Sequence, residues 1–120
     1  MHGHKTWFFP DGDLPAAGDV EPKGHESLVV LNPGSTDATI ELMVYFTDRP
    51  AVKISGLTVL AERVRCFRLD KPLGPDGWQM PFGQYAMKLS SSAPVICQIG
   101  RMDRTPDVAY YTVMGFPADD

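Results

Sequence analysis

The sequence has few cysteines, no long apolar run and none of the spacings that mark the common catalytic and metal-binding motifs. Its two cysteines, Cys66 and Cys97, both lie in apolar segments. With no Cys-x-x-Cys and no second pair, a tetrahedral zinc site is excluded. The two read as a reduced, buried pair rather than a disulfide. No apolar run approaches the roughly 18 residues that span a bilayer. The N-terminal MHGHKTWFF lacks the apolar core and small-residue cleavage site of a signal peptide. A soluble, cytoplasmic chain with no membrane insertion is therefore expected. Positive charge is scarce too: 11 Lys+Arg against 15 Asp+Glu leave a net charge of -4. Phosphate binding needs a basic face, so the overall field argues against nucleic acid as a partner.

Catalytic signatures are missing as well. There is no GxSxG nucleophile elbow, no GxxxxGK[ST] or GxGxxG phosphate loop, and no HExxH. His2 and His4 are close enough to share a metal, but they lie at a terminus that is expected to fray. No metal and no cofactor is expected.

The composition itself is globular. Hydrophobic residues make up 43% of the 120 positions and charged residues 22%, which suits one domain over residues 1–120. Eleven glycines and eleven prolines cluster between short apolar segments. That pattern predicts an all-β fold, an antiparallel β-sandwich of about eight short strands. The clearest strand is Thr39 to Phe46. Its two-residue period puts Ile40, Leu42, Val44 and Phe46 on a core face, with Thr39, Glu41, Met43 and Tyr45 opposite. The other expected strands are Thr6–Phe9, Ser27–Leu31, Leu57–Leu60, Arg63–Leu69, Gln84–Leu89, Val95–Ile99 and Tyr110–Phe116. The segment KPLGPDGWQMPFG, residues 71–83, must be a loop, and its Trp78 should fold over a sandwich edge or pack on a partner.

Two polar clusters invite chemistry. His25 and Glu26 sit side by side just before the apolar run Leu28–Leu31. Adjacent strand residues point to opposite faces, so one of the pair points inward and the other outward. The plain reading is a histidine bonded to a backbone carbonyl, with Glu26 in water. Arg101 and Asp103 share a face if their strand continues. They form either a polar ligand site, fork donor beside acceptor, or an ion pair at a strand end. Arg63 and Arg65 make a charged stripe, with Arg68 on the other face.

The order of motifs is the most specific feature. Gly3-x-x-x-Trp7 is followed by Glu21-Pro22, His25-Glu26 and Leu31-Asn32, then by DATIELMVYFTDRP, LTVLAERVRCFRLD and SSSAPVICQIGRMD. From about Gly3 to Thr112 the chain resembles the sensory rhodopsin transducer family. The resemblance implies a β-sandwich that assembles as a homotetramer, and a domain that binds small molecules such as carbohydrates. By position it carries over Trp7, Glu21, His25, Glu26, Asn32, Asp48, Arg63, Arg68, Gln98, Arg101 and Asp103. The chain departs from the pattern at Cys66, where a histidine is expected, at Asp70, where an asparagine is expected, and in GPDGWQMPFG.

The leading expectation is a non-enzymatic ligand-binding or signal-transducing module. His25, Glu26, Arg101 and Asp103 would line its pocket, with Trp7 and Trp78 as stacking platforms for a sugar ring. Its partners would be other copies of itself and a small molecule; the sequence names no upstream receptor. One alternative is a protein-interaction domain whose contact is built from Met43, Tyr45 and Phe67. Another is a small hydrolase or isomerase with Glu26 or Asp103 as base and His25 as acid.

Overall fold

The computed structural model describes residues 2–104 and 107–118, and every regular element in them is a β-strand. The strands are β1 (His4–Leu14), β2 (His25–Asn32), β3 (Ala38–Tyr45), β4 (Val52–Val59), β5 (Arg63–Arg68), β6 (Gly83–Asp103), β7 (Ala109–Met114) and β8 (Phe116–Pro117). All pairings are antiparallel. Among the described residues no helix is long and apolar enough to cross a membrane.

One strand organises the molecule. The first half of β6 pairs with β1 and β3 in a layer ordered β4-β3-β6-β1-β8. The second half pairs with β2 on one side and β7 on the other, and β5 extends that layer beyond β2. A straight strand of 21 residues would span about 70 Å, yet the longest dimension of the molecule is 43 Å. β6 must therefore bend. The bend lies at Ser91–Pro94: His4 pairs with Val95 and Thr6 with Ser90, so three extra residues are accommodated on β6. Ser91 Oγ donates to the carbonyl of Ala93 at 2.6 Å and steadies the corner. The expected pair of strands Gln84–Leu89 and Val95–Ile99 is thus a single strand. The SSSAP stretch resembles a turn in sequence but is a corner within one element.

Alternation places the core as expected. Ile40, Leu42 and Val44 are wholly buried, and Phe46 packs partly buried against them. From the other layer, Leu28, Val30, Val95 and Ile99 join the same apolar cluster. Each fully buried aliphatic side chain stabilises by roughly 1.5–3 kcal/mol.

Two expectations about side chains fail. Cys66 is exposed, while Cys97 is buried; both are unpaired thiols. Phe67 is buried, so it cannot form the proposed contact with Met43 and Tyr45. The register explains both. Phe67 stands opposite inward-facing Leu28, and Cys66 stands opposite outward-facing Val29.

Candidate functional site

The chemistry closest to the core is a sealed polar cluster where the two layers meet. Glu26 on β2 and Arg101 on β6 are direct cross-strand partners, and Tyr111 on β7 stands opposite Arg101 on its other side. Glu26 shares its face with Leu28 and Val30, and Arg101 shares its face with Ile99 and Cys97, so strand alternation carries both polar groups inward.

Every polar atom there has a partner. Arg101 Nε donates to Glu26 Oε2 at 2.8 Å, and the backbone N–H of Asp13 donates to the same oxygen at 3.2 Å. The hydroxyl of Tyr85, from the opposite layer, donates to Glu26 Oε1 in a short bond. The remaining nitrogens of Arg101 donate to the Tyr111 hydroxyl at 2.9 Å and to the carbonyl of Asp11 at 2.6 Å. That carbonyl becomes available through a bulge: β1 carries one residue more than β6 between the pairs Phe9–Met87 and Gly12–Tyr85. Pro10, which has no N–H to lose, sits in the bulge. At Gly12 any added Cβ would collide with the Tyr85 ring.

The electrostatics are those of a locked pair. Burial, and then the charge and hydrogen bond of Glu26, push the Tyr85 phenol well above its ordinary value, so it remains a donor. Burial works against the charge on Arg101, but its bonds to Tyr111 and Glu26 outweigh that and hold it protonated. Glu26 has no exposed surface, so its carboxylate cannot meet a substrate or a ligand from outside.

The other sequence candidates lie elsewhere. His25 points to the opposite face from Glu26, half-buried, and its Nδ1 is 2.9 Å from the carbonyl of Lys23. A carbonyl only accepts, so Nδ1 carries the proton in that bond. The plain reading was therefore correct for His25 and wrong for Glu26. Asp103 is half-buried at the end of β6, and the ion-pair partner of Arg101 is Glu26. Trp7 is buried, and its Nε1 donates to the carbonyls of Val95 at 3.0 Å and His4 at 3.2 Å. Gly3, with φ +97°, presses against the same Val95 carbonyl, where a Cβ would come within 2.7 Å. The Gly-x-x-x-Trp motif thus closes the chain onto the β6 corner, and Trp7 offers no open face for a sugar.

Trp78 is the exception. The 71–83 segment is a miniature hairpin: Leu73 and Trp78 exchange backbone bonds of 2.8 and 2.9 Å around the turn Gly74–Gly77. It inserts Leu73 and Met80 into the core and rests Trp78 against Phe46, with ring centroids 6.4 Å apart. Beside it opens a groove of about 130 Å³, lined by Lys53, Ser55, Asp76 and Trp78 among others. None of the other five sequence candidates lines it.

Sequence reasoning did not place Tyr85 or Tyr111 in the polar cluster. The available signal was Tyr85 on the same strand face as Met87 and Leu89, because a buried tyrosine hydroxyl needs a partner. At Asp70, one of the departures from the family pattern, the carboxylate takes both forks of Arg68 at 2.8 Å. No group of three His, Cys, Asp or Glu side chains among the described residues is arranged to hold a metal.

These features define a compact all-β domain whose inner charges lock two layers together and whose accessible chemistry lies at grooves and edges. The chain belongs to the family described as Anabaena sensory rhodopsin transducer, whose sequence model matches residues 2–117. It is therefore a sensory-transducer-like module. Among solved structures it is similar to the crystal structure of Thermotoga maritima 1070, with 28% identity, a TM-score of 0.85, and coverage of 98% of this chain and 97% of that one. It is also similar to the Anabaena sensory rhodopsin transducer, with 28% identity, a TM-score of 0.73, and coverage of 83% and 89%. A search of curated proteins found no match.

Proposed function

We propose that this chain is a non-enzymatic, cytoplasmic relay that transmits a signal through protein contacts as a homo-oligomer. The family and the name of its Anabaena relative support a receptor of the rhodopsin class upstream. The observation that carries the contact reading is an uncovered apolar sheet face. Val64, Leu31 and Ile96 stand in one row across β5, β2 and β6, at 64%, 41% and 42% exposure. Val29 and Met114 continue the patch in the next row, on either side of Gln98. Contiguous exposed apolar surface of this kind marks protein interfaces. A second copy is its occupant in this reading, and four copies are what the family resemblance implies. Catalysis by His25 and Glu26 is disfavoured by their opposite faces and by the closure around Glu26.

Light scattering tests this. The wild type runs larger than a 13.2 kDa monomer, and Leu31→Lys with Ile96→Lys reduces it to one. A monomeric wild type, or an unchanged variant, defeats the reading.

A second reading concerns a small ligand. The groove beside Trp78 joins an aromatic ring to an ammonium, a hydroxyl and a carboxylate, and at about 130 Å³ it has room for one edge of a saccharide or related polar metabolite, the rest of which would stay in solvent. A thermal-shift screen at millimolar sugar tests it, because a ligand that binds only the native state raises its stability. Trp78→Ala should abolish any shift; no shift with any sugar ends this reading.

A further inference from the structure

We propose that the outer edge of β5, with the groove beside it, binds an extended acidic peptide segment of another protein by adding it as a strand. Among the described residues β5 pairs with β2 alone. In an antiparallel edge strand, alternate residues direct their N–H and C=O groups away from the sheet. Those groups on β5 meet no further strand among the described residues. They are a template for strand addition.

The charge on this edge has one sign. Arg63, Arg65 and Arg68 occupy three of its six positions, on a chain whose net charge is -4. Arg68 is neutralised by Asp70. Arg63 and Arg65 are not paired with any carboxylate among the described residues. Arg63 donates to the carbonyls of Ala61 and Glu62 at 3.4 and 3.1 Å. Arg65 donates to the carbonyl of Thr58 at 2.6 Å, with its guanidinium 4.5 Å above the Phe67 ring. Each uses one terminal nitrogen, and a guanidinium has five N–H donors. The remaining donors face solvent with the geometry that grips a carboxylate by two oxygens.

Between these guanidinia and the end of β4 lies a cavity of about 280 Å³, lined by Thr58, Val59, Leu60, Arg63, Val64 and Arg65. Leu60 and Val64 are largely exposed there. Edge arginines also deter pairing with a second copy, because they would face arginines. That leaves a strand of opposite charge as the occupant the edge accepts. Carboxylates at alternate positions of the added strand would meet Arg63 and Arg65 on one face, and the apolar side chain between them would lie on the other face beside exposed Val64. Phosphate polymers lack both the strand backbone and the apolar residue, and the overall charge repels them.

This inference goes beyond the relay reading; it shares Val64 with the Leu31–Ile96 face and nothing with the Trp78 groove, and because the Arg63 and Arg65 variants leave Leu31 and Ile96 unchanged, each reading can fail alone. The test is fluorescence anisotropy with a short fluorescein-labelled peptide alternating Glu with Val. The acidic peptide should bind, more weakly at high salt, and lose at least about tenfold in affinity to Arg63→Glu with Arg65→Glu. Analogues with Lys for Glu, or with a central Pro, should not bind. Hydrogen exchange should slow at β5 amides in the complex. Arg63→Gln with Arg65→Gln provides the same comparison if charge reversal impairs folding. No binding at millimolar peptide, or equal binding by the Lys analogue or by the folded variants, overturns the proposal. So does equally tight, Arg63- and Arg65-dependent binding of a single-stranded oligonucleotide or of phosphatidylglycerol vesicles, which would make the edge a general polyanion site.

Discussion

Glu26 and Arg101 face each other across two neighbouring strands, 75 positions apart in sequence, with Nε and Oε2 at 2.8 Å and with almost no exposed surface on either. Their bond ties β2 to β6. The Tyr85 hydroxyl and the Asp11 and Asp13 backbone groups tie both to the facing layer. The pair closes the sandwich from within.

Removing one partner leaves the other charged and desolvated. Glu26→Ala or Arg101→Ala should each cost ~3–5 kcal/mol. Glu26→Leu combined with Arg101→Met should cost less than the sum of the two single losses, because neither charge is then stranded. Urea denaturation of the single and double variants measures this.

Alkali should weaken the fold from about pH 9. Burial pushes the Cys97 thiol from its ordinary 9.0 up to about 12. Tyr85 is likewise raised above its ordinary 10.0. A group raised in the folded state contributes stability that is intact below its unfolded value and is lost as pH climbs through the folded one. Urea midpoints should therefore be level to about pH 9 and then fall, and Cys97→Ala should flatten the first part of that fall. At pH 8 a thiol reagent should label Cys66 rapidly and Cys97 only after unfolding.

Gly12→Ala should act on the cluster without touching a charge. The new methyl group meets the Tyr85 ring, and displacing that ring disturbs its bond to Glu26. Overpacking of this kind costs ~1–3 kcal/mol, read as a lower thermal midpoint.

Glu62 adopts φ 55° in the turn from β4 to β5, a conformation that strains any residue with a Cβ. Its N–H donates to the carbonyl of Gly34 at 3.1 Å, and Asp37 Oδ1 accepts the N–H of Ala61 at 2.9 Å, which holds the turn. Glu62→Gly should be neutral or stabilise by up to ~1 kcal/mol. A destabilised Glu62→Gly protein would mean that the side chain contributes more than the strain costs.

Much of the fold was legible because a strand writes its burial into a two-residue period. Ile40, Leu42 and Val44 could be assigned inward from spacing alone, and they are wholly buried. The same signal failed at Leu28–Leu31. Four apolar residues in a row conceal which parity is inside, so the sequence left open whether His25 or Glu26 turns inward. It failed again at Ser91–Pro94, where turn residues mark a bend inside one long strand.

The candidate site was legible in part. Glu26 and Arg101 stand out as charges beside apolar runs, but their meeting depends on the register between β2 and β6, which no local pattern encodes. Trp7 and Trp78 look alike in sequence. One is sealed against Val95 and the other borders a groove, because Gly3 lets the first lie flat on the β6 corner while the second rides on an ordered loop.

By itself the sequence determined the class of fold, the family and the identity of the charged residues, since composition, spacing and motif order are properties of the chain. The tertiary structure decided which charges were buried together and which edge kept its arginines unpaired. Those outcomes depend on long-range pairing: one register step would exchange the inner and outer face of every strand involved.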